Sequence, residues 1–296
     1  MYDAIVIGAG PAGLTASIYL RRANKNVLVL EKSIVGGQIV NANIIENYPA
    51  CPNISGYDYA NNLYKQAKEL GVQIKYEEVL SIENSKIKRV FTSKAKYETR
   101  AIIIATGEET RKLGIEEKFI GKGVSYCATC DGNFYKGKVV AIVGGGNTAL
   151  DDALYLADIA KKVYLIHRRD EFRADQKTID LLKKKNNIKY VLNSNITKIN
   201  GKEYIESIDV KSDKKTMTFN IDGLFIAIGH NPNTKIFKSI INISDNGYIK
   251  GTRNCLTNKQ GIFVAGDVRS KEFRQLVTAT SDGCIAAMEA IKYLNK

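Results

Sequence analysis

The chain has 296 residues, 44% hydrophobic and 25% charged, the balance of an ordinary soluble globular protein with room for two cored domains. Its 44 Lys and Arg against 31 Asp and Glu leave a net charge of +13, yet the lysines are mostly spread singly. The densest cluster, Lys183-Lys184-Lys185, reads as the end of a helix from Thr178, where cations suit the dipole, so no nucleic-acid partner is expected. No apolar run reaches the ~20 residues of a bilayer span, and no membrane association is expected. Met1-Tyr2-Asp3 leads straight into a strand with no room for a signal peptide. Five cysteines without framework spacing suit a reducing compartment, and a cytoplasmic location is expected.

In chain order, the apolar run Ala4-Ile5-Val6-Ile7 meets Gly8-Ala9-Gly10-Pro11-Ala12-Gly13 and then a helical pattern through Arg21. A second run, Val27-Leu28-Val29-Leu30, ends at Glu31. This is G-x-G-x-x-G between strand and helix with an acid at the end of the next strand, a pattern that predicts a dinucleotide site. Gly8 permits the tight turn, Gly10 the approach of a pyrophosphate, and Gly13 close helix–strand packing. Amides at the helix start meet phosphates, and Glu31 suits ribose hydroxyls. Gly36-Gly37-Gln38 and Ile45-Glu46-Asn47-Tyr48-Pro49 read as loops, followed by an amphipathic helix from about Tyr57 to Leu70 that Gly71 ends. Short strands then lead to Ala101-Ile102-Ile103-Ile104-Ala105-Thr106-Gly107, a buried strand stopping at a glycine where a ligand can approach.

Cys127-Ala128-Thr129-Cys130-Asp131 places two thiols three positions apart with a carboxylate immediately after. C-x-x-C serves redox dithiols, half of a zinc site, or a structural bridge. Zinc would need two more ligands; Cys51, Cys255 and Cys284 are scattered, and His167 and His230 have no partner at finger spacing. Redox chemistry is favoured, because attack on a disulfide needs a neighbouring thiol to resolve the mixed intermediate. Asp131 precedes Gly132, so a plain Asp-Gly turn is its competing reading.

A second strand–glycine–helix unit begins at Lys138: Gly144-Gly145-Gly146-Asn147-Thr148-Ala149 fits G-x-G-x-x-A, with a helix from about Thr148 to Ile159. Its next strand, Val163-Tyr164-Leu165-Ile166, ends in His167-Arg168-Arg169 with Arg173 nearby. Guanidinium forks match a phosphate, which implies NADP over NAD. His167 as a catalytic base carries little weight at a strand end beside a 2′-phosphate. Short strands and turns run on to Leu224–Asn233, and Gly261-Ile262-Phe263-Val264-Ala265 leads into Gly266-Asp267-Val268. A last helix from near Gln275 carries Ala279, Gly283, Ala286 and Ala287, small residues expected to let it lie close to something flat.

Together these motifs resemble the low-molecular-weight, bacterial-type thioredoxin reductases of the two-domain flavoprotein disulfide reductase group, over essentially the whole chain. The resemblance rests on the first fingerprint with Glu31, Gly36-Gly37-Gln38, Ala105-Thr106-Gly107, Cys127–Asp131, the second fingerprint with His167-Arg168-Arg169, and Gly266-Asp267. It implies an α/β chain of two Rossmann-like three-layer domains, the second inserted into the first: residues 1–110 and 235–296 for FAD, residues 111–234 for NADPH and the dithiol. FAD is then expected at Gly8, Gly10, Pro11, Ala12, Gly13, Glu31, Lys32, Gly37, Gln38, Asn47, Ala105, Thr106, Gly107, Gly266, Asp267, Arg274 and Gln275, with Asp267 on the ribityl chain. NADPH is expected at Gly144, Gly146, Asn147, Thr148, Ala149, His167, Arg168, Arg169 and Arg173. Cys130 would face the flavin, Cys127 would be the interchange thiol, and Asp131 the acid that protonates the departing thiolate.

The implied activity is NADPH-dependent reduction of oxidised thioredoxin through FAD and the Cys127/Cys130 disulfide, in a homodimer. Because one flavin must meet both nicotinamide and disulfide, two domain orientations are expected, with hinges near Glu109-Thr110-Arg111 and Asn231-Pro232-Asn233. The chain departs from the family pattern at Asn133, where an aromatic residue is common before Phe134, at Ala50-Cys51, where glycine is expected, and at Glu108, where a small residue is usual. A ferredoxin-driven relative would tend to lose the arginines after the second fingerprint. A redox-sensing binding protein would bind NADPH without repeated turnover.

Overall fold

The computed structural model describes residues 1–42, 44–213 and 215–296. The chain divides into two compact units, Met1–Glu109 with Asn231–Lys296, and Thr110–His230 inserted between them.

In the first unit, β1 (Tyr2–Ile7) and β2 (Val27–Glu31) are apolar on both faces, as parallel strands covered on both sides must be. β1 sits between β2 and β6 (Lys96–Ile104), parallel to both, and β3 (Gln73–Tyr76) extends the sheet beyond β2. On the other side, β4 (Val79–Glu83) and β5 (Lys88–Thr92) form an antiparallel meander with β6. β6 is nine residues long because it serves different partners along its length: β5 pairs with its first half, and β17 (Ile262–Val264) pairs with its second. β7 (Glu108–Thr110) closes this first passage. Helix α1 (Pro11–Arg22) starts with proline at its first position and ends with Arg21 and Arg22, the charge order its dipole favours. Helix α2 (Gly56–Glu69) is capped by the Ser55 hydroxyl, which accepts from the Asp58 amide at 3.0 Å.

The two faces of this sheet bury different partners. Ala4 and Val6 point towards a core shared with Leu14, Ile18, Ala286 and Ala290, while Ile5 and Ile7 point to one shared with Phe237, Ile241 and Ile249. That period-two split of one strand between two cores makes the unit three layers deep.

The inserted unit repeats the plan. β9 (Val139–Gly144), β10 (Lys162–Ile166), β11 (Ile188–Val191) and β15 (Gly223–Ala227) form a parallel sheet in the order β11-β10-β9-β15, with the two-residue β8 (Val124–Ser125) on the far edge. α3 (Ala128–Asp131), α4 (Asn147–Ile159) and α5 (Gln176–Lys183) cover one face, through Leu150, Leu156 and Leu182. An antiparallel meander of β12 (Ser194–Asn200), β13 (Ser207–Ser212) and β14 (Thr216–Asn220) covers the other, through Ile196, Ile208 and Val210. The α5 range matches the helix read from the lysine cluster.

On its return the chain forms β16 (His230–Pro232), which pairs with β7, then β17 and the final helix α6 (Leu276–Leu294). The small residues of α6 meet α1, not a flat group: a Cβ on Gly283 would stand 2.2 Å from the Ala12 carbonyl oxygen. Among the described residues no helix is long and apolar enough to cross a membrane.

Candidate active site

The carboxyl ends of β1, β2, β6 and β17 bring Gly8, Glu31, Ala105 and Gly266 to one edge of the first sheet. Two glycines of the first fingerprint are required by the protein itself. Gly8 has φ +104 and no room for a Cβ, which would lie 2.4 Å from the Ala105 oxygen; a Cβ on Gly13 would lie 1.9 Å from the Gly8 oxygen. Gly10 is different. The nearest atom to its virtual Cβ is the Gly36 oxygen at 3.9 Å, so nothing in the chain demands glycine there. Gly10 is also the N-cap of α1 and makes no side-chain cap, leaving the first amides of the helix to a ligand. Gly37 lies on the same recess, where a Cβ added to it would stand 3.4 Å from the Gly10 Cα.

Glu31 reaches back to this loop. One carboxylate oxygen accepts from the Ala9 amide at 2.8 Å and the other from the Ser33 amide at 2.9 Å, so Glu31 shapes the loop. Lys32 turns away to pair with Glu109 at 2.9 Å, and the Asn41 amide reaches the Gln38 side chain at 3.4 Å. Thr106 and Gly107 are clamped by Asn233, whose backbone accepts from the Thr106 hydroxyl at 2.8 Å and whose side chain donates to the Thr106 carbonyl at 3.0 Å. Asn233, in a segment expected to act as a hinge, thus also anchors the end of β6.

Among the described residues, Asp267 Oδ1 is buried and makes no hydrogen bond, and its charged neighbour in reach is Lys271 Nζ, 3.2 Å away as an ion pair. Beneath it, buried Asp282 takes Arg269 on both oxygens at 2.8 and 3.1 Å, Lys271 at 3.2 Å, and the Gly266 amide at 3.1 Å. Arg269, Lys271 and Asp282 have no motif of their own in the sequence. Arg274 Nε lies 3.4 Å from the Asp267 carbonyl and 3.4 Å from Glu108, and its guanidinium stacks 4.0 Å over Tyr248. Glu108 in turn accepts the Tyr248 hydroxyl at 2.7 Å, so this departure from the family pattern has a built partner set. Asn47 meets Gln275 at 3.2 Å. Ala50, the other departure, has φ +65, the left-handed conformation that the expected glycine would adopt without strain.

In the inserted unit, Gly144 is held against Ala227 and Ala149, whose atoms a Cβ would approach to 2.4 and 2.5 Å. Gly145, the unspecified position of the motif, is as constrained: a Cβ there would meet the His167 ring at 2.2 Å. That ring is sandwiched between the loop and Phe172, 5.5 Å away between centroids. Its Nε2 is buried without a hydrogen bond. Burial, then the Arg169, Arg168 and Arg173 charges, push the His167 pKa down against a backbone bond at Glu171, keeping the imidazole neutral. Gly146 has nothing within 4 Å of its virtual Cβ, and as N-cap of α4 it makes no side-chain cap. Asn147 is tied up with Asp175 through two bonds of 3.0 and 2.8 Å, and the Arg173 amide donates to Gly145 at 2.7 Å, so the arginine loop is stapled to the glycine loop. Thr148 and Ala149 form the first turn of α4, and Arg168 and Arg169 follow the end of β10.

Cys127 and Cys130 are joined as a disulfide, with Cα atoms 5.3 Å apart. The four-residue α3 that carries Cys130 and Asp131 rests on α4, where Gly132 faces Tyr155 and Leu156. Upstream, Tyr126 donates to buried Glu116 at 2.9 Å. Burial raises the Glu116 pKa, but bonds from Leu113, Tyr126 and Ile115 outweigh it and hold the carboxylate below its usual range. Ser125, on β8, donates to Asp131 Oδ2 at 2.6 Å and accepts from the Cys127 amide at 3.0 Å. Among the described residues no group of three or more His, Cys, Asp and Glu is arranged to hold a metal ion.

A family model, the pyridine nucleotide-disulphide oxidoreductases, matches residues 2–283. The chain is 42% identical to a thioredoxin reductase of Mycoplasma genitalium over 98% of its length and 94% of the relative's. It is 39% identical to that of Bacillus subtilis over 100% and 96%. The crystal structure of thioredoxin reductase from Streptococcus pyogenes superposes with a TM-score of 0.96 at 38% identity, covering 100% of this chain and 98% of that one. With its α/β fold, two Rossmann-like sheets and a paired C-x-x-C, the chain belongs to the pyridine nucleotide-disulphide oxidoreductase family.

Proposed function

We propose that the chain is a thioredoxin reductase that uses NADPH and FAD to reduce oxidised thioredoxin through the Cys127–Cys130 disulfide. The observation that carries this reading is the disulfide-bonded C-x-x-C next to Asp131, in the same unit as a second glycine fingerprint ending in arginines. The first unit, with residues 231–234 joined to the expected 235–296 stretch, forms the FAD domain, and the inserted Thr110–His230 forms the NADPH domain with the dithiol. The FAD set fits on two counts: the open space at Gly10 above uncapped helix amides suits a pyrophosphate, and Asp267 Oδ1, buried and held by no hydrogen bond beside the Lys271 ion pair, suits a ribityl hydroxyl. The NADPH set fits through open Gly146, uncapped α4, and Arg168, Arg169 and Arg173 for the 2′-phosphate.

When bound, the flavin and nicotinamide supply hydride transfer and two-electron reduction of the disulfide. The chain's residues do the rest. Cys127 attacks a sulfur of the thioredoxin disulfide, Cys130 resolves the mixed disulfide, and Asp131 protonates the departing thiolate. The enzyme works in the cytoplasm as a homodimer. Anaerobic titration of the yellow protein with NADPH should bleach the flavin, and oxidised thioredoxin should restore its absorbance over many cycles. Bleaching that thioredoxin fails to reverse would overturn the reading.

A further inference from the structure

We propose that Ser125 is a positioning residue for the acid of the dithiol, fixing the Asp131 carboxylate to the backbone that carries Cys127. The proposal rests on Asp131 being that acid. Ser125 is only 7% exposed, and its Cα is held opposite Phe225 by the β8–β15 pairing, so the sheet sets its place. Its hydroxyl has one proton and two acceptors in reach, Asp131 Oδ2 at 2.6 Å and the Cys127 carbonyl at 3.4 Å. The shorter, charge-assisted bond takes it. A lone pair of the same oxygen accepts the Cys127 amide at 3.0 Å, so one buried atom ties the acid to the thiol-bearing residue. A hydroxyl serving only as a local turn would need the amide bond alone.

The exchange step balances as follows. In the reduced dithiol the Cys127 proton already stands on Asp131 before a partner arrives, and the Cys127 thiolate attacks a sulfur of the partner disulfide. A Cys127–sulfur bond forms as the partner's sulfur–sulfur bond breaks. The departing thiolate takes the proton back from Asp131, which returns to carboxylate. With Ser125 donating to Oδ2, the carboxyl group keeps one orientation towards the Cys127 backbone on every passage.

The test uses reduced holoenzyme mixed rapidly with oxidised thioredoxin, or with dithionitrobenzoate, whose leaving thiol is a stable anion that needs no proton. Ser125→Ala should slow exchange with thioredoxin roughly tenfold while leaving the dithionitrobenzoate rate unchanged. Ser125→Thr should restore the thioredoxin rate, and Ser125→Ala should add nothing in an Asp131→Asn background. Equal slowing with both reagents would mean that Ser125 only holds the turn in shape, and overturns the proposal. So would a slow Asp131→Asn beside a Ser125→Ala of wild-type rate. A fast Asp131→Asn would instead remove the acid itself, and the proposal with it.

Discussion

Adjacent glycines 145 and 146 should respond oppositely to the same added methyl group. Neither has positive φ, so alanine is allowed at both by the backbone. At Gly145 the new Cβ would stand 2.2, 2.3 and 2.5 Å from three atoms of the His167 ring, where contact normally begins at about 3.5 Å. The ring must retreat by on the order of 1 Å, against Phe172 on its other side, in a fully packed strand end. Overpacking of this kind costs about 1–3 kcal/mol, a fall of roughly 3–9 °C in Tm. At Gly146 nothing lies within 4 Å, so alanine should leave Tm unchanged or raise stability by about 0.4–1 kcal/mol through the unfolded chain. NADPH binding should nonetheless weaken sharply in Gly146→Ala, because only a ligand needs that space. Thermal unfolding and NADPH titration of both variants, and of Gly145→Ala with His167→Ala, make the assay. A Gly145→Ala as stable as wild type, or one not rescued by removing the ring, would refute the packing argument. Undiminished NADPH affinity in Gly146→Ala would refute the ligand argument.

The two thiols should not be equivalent: Cys130→Ser should trap a mixed disulfide between Cys127 and thioredoxin on a gel, and Cys127→Ser should trap none. Replacing Arg168 and Arg169 by Ala should raise KM for NADPH at least tenfold and leave NADH nearly unchanged, since charge-assisted contacts to a phosphate are worth about 1.5–3 kcal/mol each. Burial, then the neighbouring Asp151 charge, push Asp152 up to about 7. A carboxyl raised in the folded state holds its proton there and loses it when unfolded, so Asp152 makes stability fall as pH rises from about 4 to 7. Asp152→Asn should flatten that slope in denaturant titrations and gain roughly 1–3 kcal/mol above pH 7; an unchanged slope would assign the pH dependence elsewhere.

The residue patterns disclose the parts of the structure that depend on neighbours in sequence. Apolar runs ending in glycine mark β1, β6 and β9, and turn residues and charge order mark the limits of α1, α2 and α5. The α/β class follows from their alternation. What stays hidden is made by long-range pairing with no periodic trace. Asn233 clamps Thr106, Asp282 gathers Arg269 and Lys271, and Ser125 holds Asp131 by chemistry that any exposed serine could equally lack. The same limit explains α6. Small residues announce a close neighbour but not its identity, and that neighbour is the α1 backbone at Ala12. Gly145 was hidden for a related reason, since the motif leaves its position open and only the His167 ring above it demands glycine.

The division of β6 between β5 and β17 also fixes a timetable for synthesis. Ile102 leaves the ribosome roughly 160 residues before Ile262, its partner on β17, a delay on the order of 10 s at bacterial or eukaryotic elongation rates. Throughout that interval the second half of β6 has an open edge, and α1 lacks the α6 surface that covers Ala12. Thr110–His230 has no such debt, because every strand of its sheet lies within the segment, so it can finish folding while the first unit waits. A nascent chain stalled near residue 240 therefore presents one completed unit and one sticky half-sheet. That intermediate is the form chaperones must guard, and a truncation before β17 should yield a soluble inserted unit attached to an aggregating remainder.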